Sequence, residues 1–106
     1  MKEIKAFIRS NMIDYVIDAL ENLENAPGIT LSDVRGWGHA EEKETAQLVK
    51  RVKLETVVPS ERVEEIISVI VEKAHTGNYG DGKIFVSSVE KAVKIRTGGT
   101  DDDVIR

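Results

Sequence analysis

The stretch Thr76-Gly77-Asn78-Tyr79-Gly80-Asp81-Gly82-Lys83-Ile84-Phe85 sets three of the chain's eight glycines beside a lysine and an apolar run. Glycine lets a backbone turn through positive φ and lets its N–H groups approach a ligand with no Cβ in the way. A lysine at the end of such a loop adds a mobile point charge suited to phosphate. The Gly-x-x-x-x-Gly-Lys-Ser/Thr spacing of a nucleotide-triphosphatase loop is absent, and a strand rather than a helix follows. Taken alone, the stretch reads equally well as a helix-to-strand turn. Two further segments combine a special backbone with positive charge: Arg35-Gly36-Trp37-Gly38 and Lys94-Ile95-Arg96-Thr97-Gly98. The three together suit a polyphosphate, with backbone N–H groups gripping oxygens while lysine and arginine offset charge. Each charge-assisted bond contributes on the order of 1.5–3 kcal/mol. Three or four of them, less the cost of ordering, reach micromolar affinity, about −8 kcal/mol.

Other chemistry is thinly supplied. His39 reads as a solvated loop residue and His75 as the end of a helix, where a partly charged imidazole favours the C-terminal dipole. Two histidines without cysteine are a weak metal signal. Glu41, Glu42 and Glu44 read as a solvated loop; a Glu–His–Glu cation site is the sharper alternative. Trp37 suits stacking on a base and packing against a neighbouring subunit equally. No hydroxyl has a local base with an orienting partner, so nucleophilic catalysis has no candidate, and the reading is that the protein is not an enzyme.

The totals bound the rest. At 106 residues, 41% hydrophobic and 32% charged, the chain is one globular domain. Its core is small enough that association of subunits would add much to its stability. Net charge of −4 and a sequence pI near 5.2 argue against a general basic surface for nucleic acid or an anionic membrane. No cysteine occurs, which excludes disulfides and fits a cytoplasmic protein. No signal-peptide pattern opens the chain, and no apolar run approaches the roughly 18 residues of a membrane span.

The elements that must position these residues follow from periodicity. Residues 2–9 alternate, with Ile4, Ala6 and Ile8 on one side, and predict a first strand. Asn11 is expected to cap a helix carrying Asp14 in its first turn and Ile13, Val16, Ile17, Leu20 and Leu23 on one face. Asn25-Ala26-Pro27-Gly28 stops it, and residues 29–37 predict a second strand. Residues 39–47 lack an apolar period and read as a projecting loop. Residues 48–58 alternate clearly, and Ser60 is expected to cap a second helix with Val63, Ile66, Ile67, Ile70, Val71 and Ala74 as its buried stripe. A strand over 83–86 follows the glycine loop, and residues 97–106 read as a flexible tail. Strand–helix–strand taken twice predicts the α+β, ferredoxin-like βαββαβ fold: a four-stranded antiparallel sheet with both helices on one face. Phe7, Val49 and Val57 would lie on the other face, which suggests association through the sheet.

In these residues the chain resembles the nitrogen-regulatory P-II signal-transduction family over nearly its whole length. The resemblance rests on the opening KEIKAFIR, on Gly28-Ile29-Thr30 leading into Val34-Arg35-Gly36-Trp37-Gly38, on KRVKLETVVP at 50–59, on the glycine–lysine stretch, and on Ile95-Arg96-Thr97-Gly98. It implies a homotrimer that binds ATP, ADP or AMP in clefts between subunits and regulates a partner, such as a membrane transporter or a nitrogen-metabolism enzyme. On that pattern Thr30 and Val57 lie near adenine and ribose, and Gly36 and Gly38 line the cleft. Gly80, Gly82 and Lys83 hold phosphates, with Asp81 shaping the turn, and Lys94 and Arg96 reach in from the adjacent chain. His39, Glu41, Glu42, Lys43, Glu44 and Thr45 form the effector loop, hinged at Gly38 and Leu48. Mg²⁺ would accompany the nucleotide. Ala40, however, stands where the family usually has a glutamine that organises Mg²⁺ and 2-oxoglutarate, and it offers no ligand atom, which counts against 2-oxoglutarate. The loop is shorter than the family's, without tyrosine or serine, so Thr45 is its only hydroxyl. Arg51 replaces a usual lysine and Lys94 a usual arginine, which keeps charge and changes the hydrogen-bond fork. Two other classes share the fold. A trimeric divalent-cation-tolerance protein would need a metal constellation. An acylphosphatase would need a glycine-rich cradle after the first strand, where Arg9 and Asn11 supply residue types alone.

Overall fold

The alternation of Lys2–Arg9 forms strand β1, which buries Ile4, Ala6 and Ile8 and leaves the residues between them half-buried. The computed structural model describes residues 1–38, 46–100 and 104. After β1 come helix α1 (Ile13–Glu21), β2 (Thr30–Gly38), β3 (Gln47–Val58), a 3₁₀ turn (Ser60–Arg62), helix α2 (Val63–Ala74) and β4 (Gly82–Ser88). The strands make one sheet in the order β2-β3-β1-β4, every pair antiparallel. This is the ferredoxin-like βαββαβ arrangement.

Both helices cover the same face. Val16 and Leu20 of α1 and Val63, Ile66, Ile70 and Ala74 of α2 close on Ile4, Ala6, Ile8, Leu54 and Val58 in one cluster. Burying a side chain the size of Ile66 or Leu54 stabilises the fold by about 1.5–3 kcal/mol. Among the described residues Thr56 is the buried polar exception, and its hydroxyl donates to the Gly28 carbonyl at 2.7 Å. That bond ties the segment after α1 to the middle of the sheet.

Several local expectations change. Neither Asn11 nor Ser60 caps a helix: Met12 and Arg62 take the capping positions, and neither makes a side-chain cap bond. Tight turns lead into both helices instead, with Met12 N–H donating to Arg9 O and Arg62 N–H to Pro59 O, each at 3.0 Å. Helix α1 ends at Glu21, so Leu23 packs on the core from beyond the helix. Gln47 belongs to β3 rather than the loop, and β4 runs on to Ser88. Val71 is half exposed, at the rim of its stripe. Residues 97–100 fold back on the segment before them. Lys94 N–H donates to Gly99 O and Gly98 N–H to Lys94 O, both at 2.7 Å, and Val93 bridges to Thr100.

The face away from the helices stays open and mixed. Phe7 and Phe85 meet edge to face there, ring centroids 6.2 Å apart. Around them lie the half-buried pairs Glu3–Lys5 at 3.9 Å and Lys53–Glu55 at 3.5 Å.

Candidate functional site

The glycine–lysine stretch forms a tight connection from α2 to β4. Gly77, Gly80 and Gly82 all sit at positive φ, at 87°, 92° and 104°. At Gly82 the requirement is absolute, because a Cβ there would drive into the Phe7 carbonyl of β1. Asp81 organises the turn. Its Oδ2 accepts from the Thr76 and Gly77 backbone N–H groups at 2.9 Å each, and its Oδ1 accepts from the Thr76 hydroxyl and from Arg9 Nε, the latter at 3.0 Å. Arg9 also donates from Nη2 to Tyr79 O at 2.7 Å. His75 Nδ1 stands 3.8 Å from Oδ2. The Thr76 hydroxyl above all, then the Thr76 N–H, Arg9 and the Gly77 N–H, hold the Asp81 carboxyl far below the usual carboxylate range, against the opposing effect of burial. Burial and the neighbouring Arg9 lower the Arg51 guanidinium pKa, and Asp81 partly restores it. Lys83, the second residue of β4, lies opposite Phe7, exposed and without an ion pair among the described residues.

Thr30 and Val57 form a second group, away from this loop. They line a depression of about 220 Å³ with Glu3, Gly28, Glu55 and Thr56. A larger hollow of about 710 Å³ shares Gly28 and Val57 with it and is also lined by Val104. In the sheet register Val57 faces Glu3, near the start of β1, whereas Lys83 faces Phe7 near its end. The candidate residues therefore do not meet within one chain.

Gly36 and Gly38 lie where β2 and β3 run on together, opposite Val49 and Gln47. A Cβ at either would meet nothing within 4 Å among the described residues, so no contact they make demands glycine there. Lys94 and Arg96 stand in the turn that follows β4, beyond the point where Val89 N–H donates to Met1 O. They too lack ion pairs among the described residues. The candidate loop residues His39, Glu41, Glu42, Lys43, Glu44 and Thr45 lie outside the described residues, as does Ala40. Among the described residues no three histidine or acidic side chains gather as metal ligands.

The family model for nitrogen regulatory protein P-II matches residues 1–99. The chain belongs to the P-II family. It is 42% identical to the nitrogen regulatory protein P-II of Haemophilus influenzae, 41% to that of Rhizobium meliloti and 37% to that of Synechocystis. Each comparison covers 99% of this chain and all of the relative. The aligned length of 113 exceeds the 106 residues here, so the relatives carry residues that this chain lacks.

As a P-II protein the chain is a signal-transduction regulator rather than an enzyme. No helix among its described residues is long and apolar enough to cross a membrane. Reading the sequence alone missed the partners of Asp81. Arg9 is 72 positions away and looks like any charged strand residue. The signal lay in the register: Ile8 pairs with Gly82, which brings Arg9 level with Asp81. Thr76 was visible in the motif and passed over, and Arg62 was missed outright. Its guanidinium donates to Asn25 O and Glu24 O and pairs with Glu65 at 2.6 Å, pinning the end of α1 to α2.

Proposed function

We propose that this P-II protein binds adenine nucleotides, ATP, ADP or AMP, in clefts between the subunits of a cytoplasmic homotrimer. Nucleotide state then governs how residues 39–45 meet a partner protein, a membrane transporter or a nitrogen-metabolism enzyme. One observation carries the reading: the candidate residues divide into groups that one chain holds apart. Thr30 and Val57 make a half-site suited to base and ribose, and Gly80 and Lys83 one suited to phosphate. The side chains of the cations Lys94 and Arg96 have no ion-pair partner among the described residues. Head-to-tail association in a closed ring brings one chain's half-site to its neighbour's. Gly36 and Gly38, which no contact among the described residues requires, leave room for a ligand against the backbone.

The residues present fit a nucleotide's phosphates. Among the described residues they offer Mg²⁺ no cage of their own, because Asp81 is committed to Arg9, Thr76 and Gly77. The ion would be held through phosphate oxygens and water, as Mg²⁺ commonly is. A segment that changes order with the ligand is a familiar regulatory switch. Isothermal titration of ATP, ADP and AMP, each with and without Mg²⁺ and 2-oxoglutarate, tests the reading. The expected result is micromolar binding of at least one nucleotide, with 2-oxoglutarate adding nothing because Ala40 supplies no ligand atom. No binding of any nucleotide would overturn it.

A further inference from the structure

Asp81 poses a problem for any anion site, since a carboxylate beside phosphate repels it. The structure removes the difficulty by turning both oxygens inward. Oδ2 is taken by the backbone N–H groups of Thr76 and Gly77, and Oδ1 by Arg9 and the Thr76 hydroxyl. Thr76 Oγ1 in turn accepts from Asn78 N–H at 3.2 Å. The connection from α2 to β4 is thus closed on itself by side chains and fastened to β1 by Arg9.

A cross-strand row gives the fastening a second reason. Arg9 pairs in register with Arg51 of β3, and Arg51 with Val34 of β2. Like charges directly opposite one another destabilise a sheet. Asp81, beside Arg9 and attractive to Arg51, offsets that repulsion. A loop with three positive-φ glycines would otherwise sample many conformations and lose that freedom on binding.

We propose that Arg9 and Thr76 are positioning residues for the phosphate grip: acting through Asp81, they hold Gly80, Gly82 and Lys83 in the geometry that receives a polyphosphate before it arrives. The inference rests on the nucleotide reading above. It requires that loss of the clamp weaken ATP more than AMP, since the added phosphates are what the loop must receive.

The test is titration of ATP and AMP into the full chain carrying Thr76→Val, Thr76→Ser or Arg9→Gln. Thr76→Val and Arg9→Gln are expected to lower ATP affinity about tenfold or more while lowering AMP affinity much less, each tenfold being about 1.4 kcal/mol. Thr76→Ser, which keeps the hydroxyl, is expected to restore the ATP-to-AMP ratio. A role in stability alone would lower the melting temperature and leave that ratio unchanged. If the folded variants bind ATP as the wild type does, or lose ATP and AMP equally, the inference is wrong. Should Thr76→Val fail to fold, Arg9→Lys takes its place under the same criterion, since it keeps the charge but cannot span Asp81 and Tyr79 O as the guanidinium does. A wild type that binds no nucleotide overturns the nucleotide reading and this inference with it. A wild type that binds beside variants that bind equally overturns this inference alone.

Discussion

At Asp81 one carboxylate accepts from two backbone N–H groups, a hydroxyl and a guanidinium, with its side chain about three-quarters buried. Replacing it by asparagine removes the charge from each of those bonds, with an expected destabilisation of about 1.5–3 kcal/mol in urea unfolding at pH 7. Because its folded pKa is depressed, chiefly by the Thr76 hydroxyl, its contribution is complete above the unfolded value of about 3.9. It is lost as pH falls from there through the folded value, since the unfolded chain takes the proton first. The stability gap between wild type and Asp81→Asn should therefore narrow between pH 7 and pH 3; a gap that widened would contradict the assignment. Lys83 differs in kind. It is exposed and has no ion pair among the described residues, so Lys83→Glu should leave the melting temperature within a few degrees of wild type. Its predicted effect is to abolish measurable ATP binding in titration calorimetry.

Glycines separate sharply when the elements around them are compared. At the start of β4, Gly82→Ala would force β4 away from the Phe7 carbonyl of β1 at a φ that disfavours any side chain. The expected loss is roughly 3–5 kcal/mol, read by denaturant unfolding. In β2, Gly36→Ala meets open space and should change stability by only about 0.5 kcal/mol, while cutting ATP affinity in titration. A Gly36→Ala chain that binds ATP as well as wild type would remove that glycine from the site. The same contrast marks what was legible in the sequence. Alternation located β1 and β3 nearly to the residue, because Ile4, Ala6 and Ile8 of β1 and Val52, Leu54, Thr56 and Val58 of β3 are buried at period two between less buried neighbours. The helix caps were misplaced because Asn11 and Ser60 are good capping residues by type, while tight turns already supply the first bonds. The glycine motif was readable; its anchor was not, since Arg9 reaches Asp81 only once β1 and β4 are in register.

On the whole molecule, the open sheet face is the feature that one chain leaves unfinished. Phe85 is 55% exposed there beside Phe7, among half-buried charges that pair along their own strands. In the proposed trimer this face is covered, and the mass by light scattering should be three times the 11.8 kDa of the chain. Phe85→Asp, which sets a charge among those groups, should shift the population toward the single chain, and an unchanged mass would show that the face is not the interface.

Lys83 sits near the start of β4, while Arg96 follows its end, and the two do not meet within a chain. That separation makes the site divisible between different molecules. A preparation of Lys83→Glu chains and one of Arg96→Glu chains should each be unable to hold ATP. Mixed, unfolded and reassembled together, they should recover binding wherever an Arg96→Glu chain offers its intact loop to the intact cation of a Lys83→Glu neighbour. In an equal mixture about a quarter of the clefts would be of that kind. Two silent proteins would restore a ligand site that neither possesses, and recovery near a quarter would report that each cleft is built from two chains, whereas a site within one chain would recover nothing.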